Sequence, residues 1–346
     1  MKHQTTRYGE VPFYKIGTFG NTADAFISKK LFLEYKTKYS FPKKGDILIS
    51  ASGTIGRAVI YDGKPAYFQD SNIVWIDNDE TLVKNDFLFY AYSNVKWNTE
   101  HTTILRLYND NFRNTLIPLP PLNEQIAIAN ILSDLDRYLC ALDALILKKE
   151  GVKKALSFEL LSQKKRLKGF NQAWQRVRLV GIANYLTSNL SVEQITQQGK
   201  IKVYDVNNFI GYTDTTFISD KPYISIVKDG SVGRVRILPP KTNILSTMGA
   251  LIANHKTTTE FLFYLLSNFD FKNFTSGSII PHIYFKDYKE KTIFLPPLNE
   301  QIAIANILSD LDNEIASLKN KKRQFENIKK ALNHDLMSAK IRVLEK

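Results

Sequence analysis

The stretch LPPLNEQIAIANILSDLD occurs twice, at residues 119–136 and 295–312, without a difference over its 18 positions. Hydrophobic packing alone tolerates exchanges among apolar residues, so strict identity means that one local structure serves twice. Each copy opens as a helix start. Pro120-Pro121 and Pro296-Pro297 disfavour helix before them. Asn123 and Asn299 suit the N-cap, and Glu124 and Glu300 suit the positive first turn. From Ile128, alternating steps of four and three pass through Leu132, Leu135, Leu139, Leu142 and Ile146 and reach Leu167. The same count from Ile304 passes through Leu308, Leu311, Ile315, Leu318 and Phe325 and reaches Val343. Apolar residues at a 3.5-residue period make a seam for another helix. The pattern predicts two long helices packed on each other, the first over about 123–167 and roughly 65 Å long at about 1.5 Å per residue.

The segments before the helices differ in character. DILIS (46–50), AVIY (58–61), NIVWI (72–76), YISIV (223–227) and RVRIL (234–238) are short apolar or alternating runs broken by Gly, Pro and Asn, the pattern of strands and turns. The two segments resemble each other weakly. Gly53-Thr54-Ile55-Gly56-Arg57 matches Gly230-Ser231-Val232-Gly233-Arg234, FLFY recurs at 87–90 and 261–264, and FIS recurs at 26–28 and 217–219. The expected architecture is α+β: two mixed α/β domains at 1–117 and 170–294, each followed by a spacer helix, at 118–169 and 295–346.

The chain has 346 residues, room for two cores, and a net charge of +13 with no basic tail. A body basic throughout suits a polyanionic partner. Cys140 is the only cysteine, which excludes an internal disulfide or a thiolate zinc cluster and suits a reducing cytoplasm; beside Leu139 it is expected to pack at the seam. No apolar run is long enough to span a membrane. Neither a G-x-x-x-x-G-K-[ST] phosphate loop nor a G-x-G-x-x-G fingerprint is present, and the five histidines show no metal-ligand spacing. Asp24 with Glu34-Tyr35-Lys36 loosely fits a nuclease pattern, a match more economically read as surface charge. KKRQFENIKK (321–330) reads as a solvated helix face with Phe325 and Ile328 turned to the seam.

The paired glycine turns are the more informative chemistry. Two glycines three apart after an apolar strand allow a tight turn and a close backbone approach. The arginine that follows can clamp phosphate or read guanine in the major groove.

The order of domain, LPPL-N-E-Q stretch and long helix, given twice, resembles the DNA-specificity (S) subunit of type I restriction-modification systems. Ile280-Pro281-His282-Ile283-Tyr284-Phe285-Lys286, before the second LPPL, adds to the likeness. The resemblance implies two target-recognition domains that read a bipartite, asymmetric site in double-stranded DNA. It also implies an antiparallel coiled coil with internal pseudo-twofold symmetry, and a subunit with no catalytic or metal-binding residues and no cofactor of its own. Two methyltransferase subunits using S-adenosylmethionine, and restriction subunits using ATP and Mg²⁺, would be the partners. Candidate DNA-binding residues are Ser52, Thr54, Arg57, Lys64, Tyr67, Gln69 (with Asp70), Arg106, Lys228, Ser231, Arg234, Arg236 and His282. Candidate methyltransferase-docking residues are Asn123, Glu124, Gln125, Ile126, Asn299, Glu300, Gln301 and Ile302. The second half opens with Trp174-Gln175-Arg176-Val177-Arg178-Leu179, whereas the repeat matches align Met1 with about Val192, so the first domain is expected to lack that opening. The alternatives are a coiled-coil adaptor that binds protein and a self-sufficient Mg-dependent nuclease.

Overall fold

The computed structural model describes residues 4–68, 72–97 and 106–344. In chain order these form β1 (Val11–Tyr14), β2 (Ala25–Ile27), α1 (Lys29–Lys38), β3 (Ile47–Ser50), β4 (Ala58–Ile60), β5 (Tyr67–Phe68), β6 (Ile73–Ile76), α2 (Asn85–Tyr92), α3 (Asn109–Arg113) and the long α4 (Leu122–Leu161). There follow β7 (Gln175–Arg178), β8 (Ala183–Thr187), β9 (Ile201–Tyr204), β10 (Phe209–Thr213), β11 (Tyr223–Val227), β12 (Val235–Leu238), β13 (Thr242–Ile244), β14 (Met248–Ala253), α5 (Thr259–Ser267), α6 (Phe285–Tyr288), β15 (Thr292–Leu295) and the long α7 (Leu298–Met337). The chain divides into two compact units, Met1–Asp143 with Asn320–Lys346, and Ala144–Lys319. Each unit therefore holds one stretch of α4 and one of α7.

Unit 1 contains the sheets β2-β1-β5 and β4-β3-β6. Ile47, Leu48 and Ile49 on β3 are fully buried, because α2 packs Leu88 and Tyr92 on one face while Phe19 and Tyr61 cover the other. Unit 2 repeats the plan with β10-β9-β13 and the antiparallel sheet β12-β11-β14-β8, and adds the pair β15-β7. The FLFY recurrence marks equivalent helices, α2 and α5, whose Phe87 and Phe261 are fully buried. The FIS recurrence does not mark equivalent strands. Phe26 on β2 bridges Thr6 as Tyr212 on β10 bridges Thr196, so β10 answers β2 and the second FIS lies beyond it.

Both long helices span 40 residues, about 60 Å. They begin one residue before the expected asparagines: Gln125 and Gln301 donate their backbone N–H to Pro121 and Pro297, so the second proline of each pair sits at the N-cap. They end where Gln163 and Ala339 take left-handed conformations (φ 63° and 56°), six residues earlier than expected for α4. Lys165 N–H then reaches back to the Glu159 carbonyl, and Ile341 N–H to that of Asp335. The offset of 176 residues thus extends well past the identical stretch.

Within each unit the two helix stretches run antiparallel. In unit 1, Asp143 pairs with Lys322 at 2.7 Å, Asp136 pairs with Lys329, and Tyr138 meets Phe325 at 4.7 Å between ring centroids. In unit 2, Lys149 pairs with Glu314 at 2.8 Å and Lys153 with Asp312. The lysines that interrupt the apolar seam are therefore half-buried stems with their ammonium groups carried to acids on the facing helix. Two expectations fail here. Cys140 is exposed rather than packed, and Ile328 is half exposed, because both fall off the side of the helix that carries Leu139 and Phe325.

Candidate nucleic-acid interface

The glycine turns link β3 to β4 in unit 1 and β11 to β12 in unit 2, with one backbone plan. Gly56 N–H donates to the Ser50 carbonyl at 2.9 Å and Gly233 N–H to that of Val227 at 3.0 Å. All four glycines have positive φ, between 66° and 81°, a region that side chains disfavour. A Cβ on Gly56 would also strike the Trp97 ring, and one on Gly233 the Phe271 ring, at 2.2 and 2.6 Å. The second glycine is thus required by the ring packed beneath it. Gly230 has open space around it, whereas a Cβ on Gly53 would meet the Ile16 side chain at 3.2 Å; both first glycines are exposed.

A second segment lies beside each turn. In unit 1, Ser52 bridges Arg106, and Leu107 N–H donates to the Ala51 carbonyl at 2.8 Å. In unit 2, Asp229 bridges His282, Ile283 N–H donates to the Lys228 carbonyl, and Gly230 N–H donates to that of Pro281, each bond 2.9 Å. Arg106 and His282 therefore hold the same place, one beside each turn, a relation the sequence did not announce. His282 is further set by Ser276, which exchanges backbone bonds with it, and by the Tyr284 ring at 5.1 Å.

Arg57 and Arg234 are exposed but anchored. Arg57 donates to the Phe19 carbonyl at 2.9 Å, and Arg234 donates to Asn207 Oδ1 at 3.0 Å. Arg236 donates to the Asn207 carbonyl and lies over the Tyr204 ring, so it props the loop that Arg234 also touches. Asn207 had no signal in the sequence; it is found only because two arginines converge on it. Thr54 and Ser231 are exposed at the turn tips, and Lys228 is half-buried at the foot. Ser52 is buried and donates to Asn72 Oδ1, a positioning contact. Lys64 is exposed and paired with Asp62. Tyr67 corrects an expectation: it is buried among Phe13, Phe32 and Phe41, because on β5 its side chain alternates to the inner face. Gln69 and Asp70 lie outside the described residues.

The helix starts also correct the docking set. Glu124 and Gln125, like Glu300 and Gln301, are buried and occupied inside their own unit. Gln125 accepts from Lys84 N–H and donates to the Leu82 and Pro120 carbonyls; Gln301 accepts from Thr258 N–H and donates to those of Lys256 and Pro296. Arg342 grips Glu124 with two bonds of 2.7 Å, and that guanidinium holds the carboxyl below its ordinary range. Arg166 grips Glu300 in the same way, and Trp174 Nε1 adds a bond of 3.0 Å. Tyr90 donates to Asp136 and Tyr264 to Asp312; burial first, then the carboxylate, pushes both phenols up. Ile126 and Ile302, with Asn123 and Asn299, remain on the exposed side.

The nuclease pattern does not assemble. Asp24 pairs with Lys15 and Lys36 lies over the Phe41 ring, and no group of three acids or histidines able to hold a metal occurs among the described residues. Among the same residues no helix is long and apolar enough to cross a membrane.

Comparison with known proteins places this geometry. The family profile described as the type I restriction modification DNA specificity domain matches residues 1–154 and again 171–327. A putative type I restriction enzyme specificity subunit of Haemophilus influenzae is 64% identical over 133 residues, 38% of this chain and 34% of that protein. The putative MjaX specificity subunit of Methanocaldococcus jannaschii is 30% identical over 336 residues, 86% of this chain and 79% of that one. The crystal structure of a type I S subunit from M. genitalium shares the fold, with a TM-score of 0.64 at 20% identity, covering 97% of this chain and 91% of that one. With two matched domains, two equivalent turns and two equivalent helix starts, the chain belongs to the family of type I restriction-modification DNA specificity subunits.

Proposed function

We propose that each glycine-turn site of this non-catalytic subunit reads one half of a bipartite, asymmetric site in double-stranded DNA. The observation that carries the proposal is that Arg57 and Arg106 in unit 1 occupy the same backbone places as Arg234 and His282 in unit 2. One frame with different side chains suits two different half-site sequences. The frame is held from within, by Trp97 and Phe271 under the turns, which leaves the exposed tips free to vary.

The helix starts dock two methyltransferase subunits, one per unit, through the exposed side of each repeat, with Ile126 at 46% and Ile302 at 49% exposure as the apolar centres. The buried Glu and Gln of each repeat hold the helix against its own domain and so set the angle of that surface. S-adenosylmethionine, ATP and Mg²⁺ belong to the partner subunits, restriction subunits among them, and the complex acts in the cytoplasm. Co-expression with a methyltransferase subunit tests this reading. Ile126→Asp and Ile302→Asp should each reduce co-purified methyltransferase from two copies toward one, with the circular dichroism of the chain unchanged. Two copies retained in both variants would refute the docking assignment. A protein-binding adaptor would instead show no salt-dependent binding to DNA.

A further inference from the structure

In each unit the sheet that does not carry the glycine turn sends one loop to it. In unit 2 this is the four-residue connection 205–208 between β9 and β10, and in unit 1 the ten-residue connection 15–24 between β1 and β2. The two loops share no sequence, yet each receives the arginine that follows the turn. Arg57 Nη1 donates to the Phe19 carbonyl at 2.9 Å, and Arg234 Nη1 to Asn207 Oδ1 at 3.0 Å. The acceptor is main chain in one unit and side chain in the other.

Each loop keeps its shape by bonds other than this one. In unit 2, Asp205 Oδ1 accepts from the N–H groups of Asn207 and Asn208 at 2.8 and 2.6 Å, and Asp205 N–H donates to the Asn208 carbonyl at 3.0 Å. Arg236 then takes the Asn207 carbonyl at 2.8 Å. In unit 1, Phe19 is buried in the cluster of Leu48 and Tyr61, and Thr18 and Asn21 N–H close turns on the carbonyls of Lys15 and Thr18. Gly20, at φ 76°, makes room for the arginine stem, since a Cβ there would stand 3.3 Å from Arg57 Cδ. The loop therefore fixes the arginine, and the arginine is not needed to fix the loop.

We propose that Asn207 is a specificity-determining positioning residue, which sets the base position that Arg234 reaches; the inference rests on Arg234 being a base reader. Arginine offers only donors, so the amide must turn its oxygen to it. One N–H is spent on this anchor, and the remaining N–H donors stay available for a guanine edge. The acceptor is neutral, so the charge of Arg234 also stays available to DNA. A side chain held in place before binding gives up fewer rotamers on binding, an advantage of about three- to tenfold. Asn207 is exposed and its main chain is held by Arg236, so truncating its side chain removes the anchor and leaves the loop.

The test is to co-express the full chain with a methyltransferase subunit and map methylated adenines for the wild type, Asn207→Ala, Asn207→Asp, Arg234→Ala and the double variant Asn207→Ala/Arg234→Ala. Asn207→Ala should lose about three- to tenfold discrimination at the one base position that Arg234→Ala relaxes, with the other half of the motif and the melting temperature unchanged. Asn207→Asp keeps the oxygen and should keep the motif, and the double variant should be no more relaxed than Arg234→Ala. An unchanged motif in Asn207→Ala beside a relaxed one in Arg234→Ala would overturn the proposal. So would relaxation at a different position, or an Asn207→Asp motif as relaxed as that of Asn207→Ala. An unchanged motif in Arg234→Ala would instead remove the base reader itself, and the proposal with it.

Discussion

The two units treat the start of a long helix identically and the edge of their sheets differently. At the helix start the same glutamine closes the same three backbone groups, the same glutamate takes an arginine from beyond the end of the other long helix, and the same aspartate takes a phenol and a lysine. At the edge, among the described residues, the sheet around β11 in unit 2 has four strands and β15 pairs with β7, while the corresponding sheet around β3 in unit 1 has three and Leu116 is exposed. The contrast separates what the two units share from what differs between them. Buried polar contacts leave no room for substitution, because a lost partner strands a desolvated group.

The largest effect should come from the shared seam. Leu132→Ala and Leu308→Ala, both at fully buried positions, should each cost about 3 kcal/mol in denaturant unfolding, the usual loss for a core leucine. Equal costs would support equivalent seams, and a marked inequality would break the comparison.

The next effect should be unequal. Glu300→Gln removes the charge and one of the two acceptor oxygens that serve Arg166 and Trp174, and about 2 kcal/mol should be lost from unit 2. Glu124→Gln should cost less, because no tryptophan is bound there. Its signature is in pH. Arg342 lowers the Glu124 carboxyl from its ordinary 4.5, so the bond stabilises unit 1 fully above that value and is lost as pH falls through the lower folded value. Thermal melts of the wild type should therefore drop below about pH 4.5 more steeply than those of Glu124→Gln. Parallel acid profiles would contradict the assignment. The smallest effect is expected for Lys153→Met and Lys329→Met, within about 1 kcal/mol, since partly exposed ion pairs contribute little.

Much of the scaffold was legible because it is periodic. Ile128, Leu132, Leu142 and Ile146 in α4, and Ile304, Leu308 and Ile315 in α7, are buried at the positions that the 3.5-residue spacing marks. The lysines inside that spacing read as breaks, since their acid partners sit on another helix at a distance only packing reveals. The glycine turns were legible from their spacing, but their reason was not: Trp97 and Phe271 lie about 40 residues further on. Identity misled at Glu124 and Gln125. Two surfaces for one partner and two buried networks for one fold both enforce identity, and the second accounts for these side chains. Tyr67 was misread for a similar reason, because a tyrosine near a turn looks exposed until strand alternation decides its face.

The central claim is that the two turns read different halves of one DNA site, and mapping methylated adenines genome-wide tests it most directly. The chain is co-expressed with a methyltransferase subunit as wild type, Arg57→Ala and Arg234→Ala. The wild type should give one bipartite motif. Arg57→Ala should relax one half only and Arg234→Ala the other half only, each by about 1–3 kcal/mol of discrimination at one position. Relaxation of the same positions by both variants, or an unchanged motif in both, would contradict the account.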